Sequence, residues 1–238
     1  MDRLSAARRE TIRYHESFYA TTLLGTPGSW LAQPHPSVVE AIELVEANGP
    51  VRAFDLGAGV GRHTVPMAQI LPAGSTITAV DLLPTAIQLL IDNCRTAGVL
   101  ASVNPVVADL EQFEFGNQPA SLIIGFSVVE HLNSFAAMRR LLTQCRDASG
   151  PSGIVSFGIV ADRCEVASDG TVGRGLVETH VSAEQTLACL MSTFVDWAVL
   201  RAETEGLSVS EDRDGLPYTL CGSLVIFTAR KTSGAPAS

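Results

Sequence analysis

The sequence predicts an α/β fold: a doubly wound, mostly parallel seven-stranded sheet closed by an antiparallel strand pair. Three observations predict it. Short β-branched runs alternate with helical segments between Val51 and Val160. A glycine turn, AFDLGAGVG, follows the first of those runs. Two late apolar runs flank a turn signal and supply the antiparallel pair. Strand–helix alternation implies parallel strands covered on both faces, joined by right-handed crossovers.

The elements follow in order. Residues 3–24 read as a helix, with Leu4, Ile12, Leu23 and Leu24 among polar positions, broken by the Pro and Gly of TPGSW. Pro36 starts a second helix, SVVEAIELVEA, with Ser37 near its N-terminus and NGP after it. VRAFDLG is the first strand, and a helix over roughly 60–71 is stopped by Pro72 and Gly74. STITAVDL is β-branched and strand-like. Pro84 opens the amphipathic helix TAIQLLIDNCRTAG, closed by Gly98. SVNPVVADL, ASLIIGFS and GIVSFGIV are three more strands, with a helix over 134–148 before the last. Residues 161–178 are polar and aperiodic, which predicts an insertion over the carboxyl edge of the sheet. SAEQTLACLMSTF is a helix capped by Ser182, with Glu184 and Gln185 near the capping-box position. WAVLRAETEG and TLCGSLVIFTARK form the closing pair around EDRDGLPY, whose acidic EDRDG reads as a solvated hairpin tip. The chain is expected to be one domain over 1–230: a helical lid over 1–35, a ligand-binding core over 50–160 and a substrate-side insertion and helix over 161–190. A disordered tail over 231–238 completes it.

Composition narrows the function. The 238 residues carry a net charge of −9, and no basic run exceeds two residues, which disfavours nucleic acid and anionic membrane as partners. Five cysteines, an odd number with no CxxC spacing, suit a reducing cytoplasm better than a disulfide scaffold or zinc site. The first nineteen residues lack an apolar signal region, and no run is long enough to span a bilayer. A small-molecule partner is expected, with a homodimer through exposed apolar segments left open.

Gly57, Gly59 and Gly61 occupy alternate positions after Asp55. In open α/β sheets, ligands bind outside the carboxyl ends of strands, so this first strand–helix turn is the expected contact. Gly57 permits the tight turn, Gly59 the approach of backbone to ligand, and Gly61 the packing of helix on strand. Asp81 stands twenty residues past Gly61 at the next strand end, where a carboxylate accepts from a ribose diol. Asp109 ends the third strand. A glycine turn alone is equally a structural feature; three carboxylates in successive turns point to a ligand laid across the sheet edge.

At these residues the sequence resembles the class I S-adenosylmethionine-dependent methyltransferases. FDLGAGVGR is similar to their first motif, AVDLLPTAI to the segment after it, ADLEQF to the adenine-contacting loop, and LIIGFSVVEHL to the fourth motif. YHESFY, GSWLAQP and VETHVSAEQTLACL resemble the lid and substrate-side segments of a tellurite-resistance-type small-molecule branch. The resemblance implies a Rossmann-like fold and S-adenosylmethionine as cofactor, leaving S-adenosylhomocysteine. It implies that Asp55 and the glycines approach the methionine end, Asp81 the ribose, Leu82 and Leu83 the adenine, and Asp109 the adenine amino group beside Leu110. Phe126 and Ser127 would underlie the methionine portion.

Methyl transfer needs an acceptor held in line, and a base only if the acceptor must lose a proton. His131, just past the fourth strand, is the first candidate base; packing on the following helix is the competing reading. His15 and His180 are further candidates. Tyr14, Tyr19 and Trp30 are candidate substrate contacts, with a packed amphipathic helix as the alternative. Some relatives place a metal on an E-x-x-E-H run here; SVVEH lacks the first carboxylate, so no metal is expected. His63 is read as covering the cofactor or exposed, and His35 as a turn residue. A non-catalytic cofactor-binding module is the first competing function. A nicotinamide-dependent oxidoreductase is the second, and the absent G-x-x-G spacing counts against it.

Overall fold

Gly and Pro punctuation cuts the chain into elements close to those expected. The computed structural model describes residues 2–46, 48–213 and 215–232. The helices are α1 (Arg3–Thr21), α2 (Pro36–Glu43), α3 (Thr64–Ile70), α4 (Pro84–Thr96), α5 (Phe135–Ala148) and α6 (Ala183–Thr193). The strands are β1 (Arg52–Leu56), β2 (Thr76–Asp81), β3 (Val103–Val107), β4 (Ala120–Phe126), β5 (Ser149–Ala167), β6 (Val172–Arg174), β7 (Trp197–Arg213) and β8 (Leu216–Lys231).

The sheet runs β3-β2-β1-β4-β5-β8-β7. Its first five strands are mutually parallel, and β8 and β7 follow antiparallel. The chain winds outward from β1 in one direction and from β4 in the other, so the switch point lies between them. Successive side chains of a strand face opposite sides. Phe54, Leu56 and Ile123 therefore pack with Met138, Leu141, Leu190 and Phe194 of α5 and the α6 region. Ala53, Leu122 and Ile124 pack with Val38, Ile42 and Met67 of α2 and α3.

Local chemistry sets the ends. Ser182 accepts from Gln185 N, and the Gln185 side chain accepts from Ser182 N, a complete capping box. Ser134 caps α5. Gly98, at φ +73°, closes α4. His35, rather than Ser37, caps α2: its Nδ1 accepts from Ser37 N at 3.3 Å.

Several boundaries differ from expectation. Helix α1 stops at Thr21, where Thr22 turns extended, and α2 at Glu43. Helix α3 starts at Thr64 rather than 60, because Gly57, Gly59 and Gly61 all hold positive φ and keep the preceding chain in a turn. Residues 161–178 are not wholly aperiodic: β5 continues to Ala167 and pairs with β6, an eighth strand off the main path of seven. The closing pair is longer than read, since Glu211–Arg213 lie in β7 and Leu216–Tyr218 in β8. Lys231 belongs to β8 rather than to the tail, whose residues 233–238 lie outside those described.

Candidate functional site

The glycine turn is tied to the sheet by backbone bonds from Gly57 N and Ala58 N to Val80 O, at 2.8 and 2.9 Å. A Cβ at Gly57 would lie 2.5 Å from the Val128 side chain, and one at Gly59 would lie 2.6 Å from the Tyr19 hydroxyl. Gly61, at φ +97°, has Leu90 of α4 3.5 Å from the position of its absent Cβ, consistent with packing rather than ligand contact. Asp81, at the end of β2, accepts from Gly59 N through one carboxylate oxygen at 2.8 Å and from Leu83 N through the other at 2.9 Å. Burial raises its pKa above the usual carboxylate value despite these bonds.

A cavity of about 360 Å³ opens over these strand ends, within the range of small-molecule sites. Its wall includes Gly57, Gly59, Asp81, Leu82, Asp109 and Leu110, all expected cofactor contacts. Phe126 and Ser127 also line it, Ser127 in the left-handed region at φ +52°. Asp109 accepts from Glu111 N at 3.0 Å and faces Arg8 of α1 at 3.4 Å. Asp55 is not on the wall. It is buried behind the turn, where Thr64 Oγ1 donates to Oδ2 at 2.6 Å while Oδ1 has no partner among the described residues. Burial pushes its pKa up to about 7.

Two of the three candidate bases meet over the cavity. His131 Nδ1 lies 2.9 Å from Glu178 Oε2, and Thr11 Oγ1 donates to the same oxygen at 3.1 Å. Burial alone would raise the Glu178 pKa, but the hydrogen bond and charge of His131 outweigh it and hold the carboxyl below its ordinary value. An ionised Glu178 accepts Nδ1–H and leaves His131 Nε2 as the basic nitrogen. His15 sits edge-on to His131, ring centroids 5.9 Å apart. Its Nδ1 is 2.8 Å from the Thr11 carbonyl, which only accepts, so Nδ1 carries the proton. Desolvation, then the charge of His131, lowers the His15 pKa to about 4.

His180 does not join them. Its Nε2 is 2.6 Å from the Gly175 carbonyl, and it is absent from the cavity wall. The segment VETHVS contributes Glu178 instead; only the long-range contact to His131 distinguishes the two residues. Tyr14, Tyr19 and Trp30 line the cavity. Trp30 stacks on Phe18 at 4.9 Å, and the Tyr14 hydroxyl donates to Glu211 at 2.7 Å. Glu211 is thus a wall residue and not a solvated tip, and Arg213 beside it pairs with Glu165 and Glu10. His63 is neither exposed nor unpartnered: its Nε2 accepts from His35 N at 3.3 Å, and burial pushes its pKa down to about 3. Both histidine rings support Phe126, at centroid distances of 4.6 Å (His35) and 5.3 Å (His63). Among the described residues no cluster of three or more His, Cys, Asp or Glu side chains is placed to hold a metal. No helix there is long and apolar enough to cross a membrane.

Comparison with known proteins adds to this geometry. Residues 53–153 match a family model described as a methyltransferase domain. No curated protein sequence matches the chain. Among solved structures, TehB from Haemophilus influenzae is 15% identical with a TM-score of 0.62, over 83% of this chain and 62% of that one. The chain therefore spans less than two thirds of the TehB chain. The N-methyltransferase NodS from Bradyrhizobium japonicum WM9, solved with S-adenosyl-L-homocysteine, is 17% identical with a TM-score of 0.54, over 94% and 98% of the two chains. The cyclase SpnF is 17% identical with a TM-score of 0.58, over 83% and 80%. At such identities the likeness is one of fold. With a match to the methyltransferase-domain model at residues 53–153 on this sheet order, the chain has the fold of class I S-adenosylmethionine-dependent methyltransferases.

Proposed function

We propose that this protein transfers the methyl group of S-adenosylmethionine to an oxygen, nitrogen or sulfur nucleophile of a small molecule. The observation that carries the reading is the convergence of the glycine turn, Asp81 and Asp109 on one cavity whose wall also includes His131, itself paired with Glu178. The donor set fits the cofactor: a diol and an exocyclic amine each present hydrogens to a carboxylate. Asp81 would hold the ribose hydroxyls, Leu82 and Leu83 the adenine faces, and Asp109 beside Leu110 the adenine amino group. The turn at Gly57 and Gly59 would border the methionine end together with Phe126 and Ser127, with Asp55 and Gly61 shaping it from behind.

When bound, S-adenosylmethionine supplies a methyl group already activated on sulfonium. The chain's residues orient the acceptor, exclude water and accept its proton. His131 Nε2 takes that proton while Glu178 holds the Nδ1–H side of the ring. His15, kept neutral by desolvation, presents Nε2 as a hydrogen-bond acceptor on the same wall, and its lowered pKa makes it a poor base. Tyr14, Tyr19 and Trp30 close the cavity from the lid over residues 1–35, and residues 161–190 build its acceptor side. The reading takes residues 1–230 as one unit acting in the cytoplasm without nucleic acid. It leaves room for a homodimer through exposed Val199 and Leu200 on edge strand β7.

Calorimetric titration with S-adenosylhomocysteine tests it, with NAD⁺ as control. Asp81→Ala is expected to weaken binding by roughly 1.5–3 kcal/mol, the range of a hydrogen bond to a charged group. Binding of NAD⁺ in place of S-adenosylhomocysteine would support the oxidoreductase instead. Binding without transfer of labelled methyl to any acceptor would support a binding module.

A further inference from the structure

Three arginines line the cavity, and two are engaged. Arg8 donates to the His131 carbonyl at 3.2 Å and to Asp109 at 3.4 Å. Arg62 donates to the Gln33 carbonyl at 2.7 Å and lies 5.9 Å from the centre of the Trp30 ring. Arg163 differs: among the described residues it has no hydrogen-bond acceptor and no carboxylate within ion-pair distance, and its Nε is buried without a partner. A guanidinium offers five donors in a fixed fork, and burying one unmatched is costly.

The carboxylates near Arg163 each hold another group, though Glu130 Oε2 and Glu178 Oε1 are themselves buried without a partner among the described residues. Glu165 holds Arg213 through both oxygens at 2.9 Å. Glu211 accepts from the Tyr14 hydroxyl, Glu178 from Thr11 and His131, and Glu130 Oε1 from Val160 N. The backbone also builds the position. The β5–β8 register shifts between Ala161 and Cys164, with Asp162 at φ +51°, a bulge of the kind that re-aims a side chain. A Cβ on Gly175 would fall 2.6 Å from Arg163 Cγ, so that glycine leaves space for the arginine stem. The cavity wall includes Leu176, Leu207, Val209 and Leu220 as well as Glu130, Glu211 and Tyr218.

Building on the methyl-transfer reading, we propose that the acceptor is a carboxylic acid and that Arg163 binds its carboxylate. A guanidinium with unmatched donors on a cavity wall discriminates between a carboxylate, which matches its fork and charge, and a neutral amide of the same shape. Its place on β5, outside the glycine turn and the strand ends that carry Asp81 and Asp109, assigns it to the acceptor and not to the cofactor.

The test titrates S-adenosylhomocysteine-loaded protein with matched pairs of acids and amides: para-hydroxybenzoate with para-hydroxybenzamide, anthranilate with anthranilamide, and phenylacetate with phenylacetamide. The acids are expected to bind about tenfold or more tightly than their amides. Arg163→Gln is expected to equalise the pairs and Arg163→Lys to keep part of the preference, both with S-adenosylhomocysteine affinity unchanged as the folding control. Acids that fail to bind, acids and amides that bind equally, or a preference that survives Arg163→Gln would each overturn the carboxylate site and leave the methyl-transfer reading standing. Failure of the wild-type chain to bind S-adenosylhomocysteine would overturn that reading itself, and the site with it.

Discussion

Glu178 and Asp55 show how much of the site's chemistry rests on single buried carboxylates. Glu178 Oε2 collects both Thr11 and His131, while Oε1 is buried without a partner among the described residues. It positions a ring, so its loss should act on turnover and not on cofactor affinity. Glu178→Gln is expected to lower kcat by about 10–100-fold, less than the roughly 10²–10⁴-fold a general base itself contributes, and to leave S-adenosylhomocysteine affinity intact. Single-turnover kinetics beside calorimetry would show the split. Asp55 makes a prediction about pH. Its folded pKa of about 7 lies above the ordinary aspartate value of 3.8, because burial disfavours the charged form. The folded chain therefore holds this proton more tightly than the unfolded chain. The contribution is full at low pH and is lost as pH rises from about 4 through about 7. Asp55→Asn lacks that loss, so its urea stability relative to wild type should improve between about pH 5 and pH 8. Asp55 was recognisable in FDLGAGVG, but its place behind the turn was not, since the sequence does not say which side Thr64 occupies.

At the scale of elements, capping and turn chemistry transmit function. The Ser182–Gln185 capping box starts α6, whose Thr186, Cys189 and Leu190 are buried against the sheet. Ser182→Ala is expected to cost about 1 kcal/mol of stability by urea denaturation, with no change in cofactor affinity. Its signature, S-x-x-Q before an apolar run, was legible because it is local. So were the start of α4 at Pro84 and its end at Gly98. The continuation of β5 to Ala167 was not. Its outer half is only partly buried, so it lacks the apolar run that marks a strand, and pairing with β8 and β6 holds it extended.

Across the whole molecule, one ion network fastens the lid to the sheet. Arg213 of β7 reaches Glu10 of α1 at 2.7 Å and Glu165 of β5 at 2.9 Å. Hydrogen bonds from Arg13 and then Arg213 hold the Glu10 carboxyl down at about 2, against the opposing effect of burial. Arg213→Ala should free α1, read as faster amide exchange over residues 3–21 with protection in β1 and β4 unchanged. The network stayed hidden in EDRDG because its partners are remote in sequence. Periodicity and turn residues by themselves determined the parallel core, the glycine turn and the carboxylates at its strand ends, since each of those signals acts over a few neighbours. Tertiary structure alone decided that Glu178 and not His180 faces His131, that Glu211 closes the cavity, and that Arg163 enters it without a hydrogen-bond partner among the described residues. Those outcomes depend on which distant groups the sheet order brings within hydrogen-bond reach, a distance that no local pattern encodes.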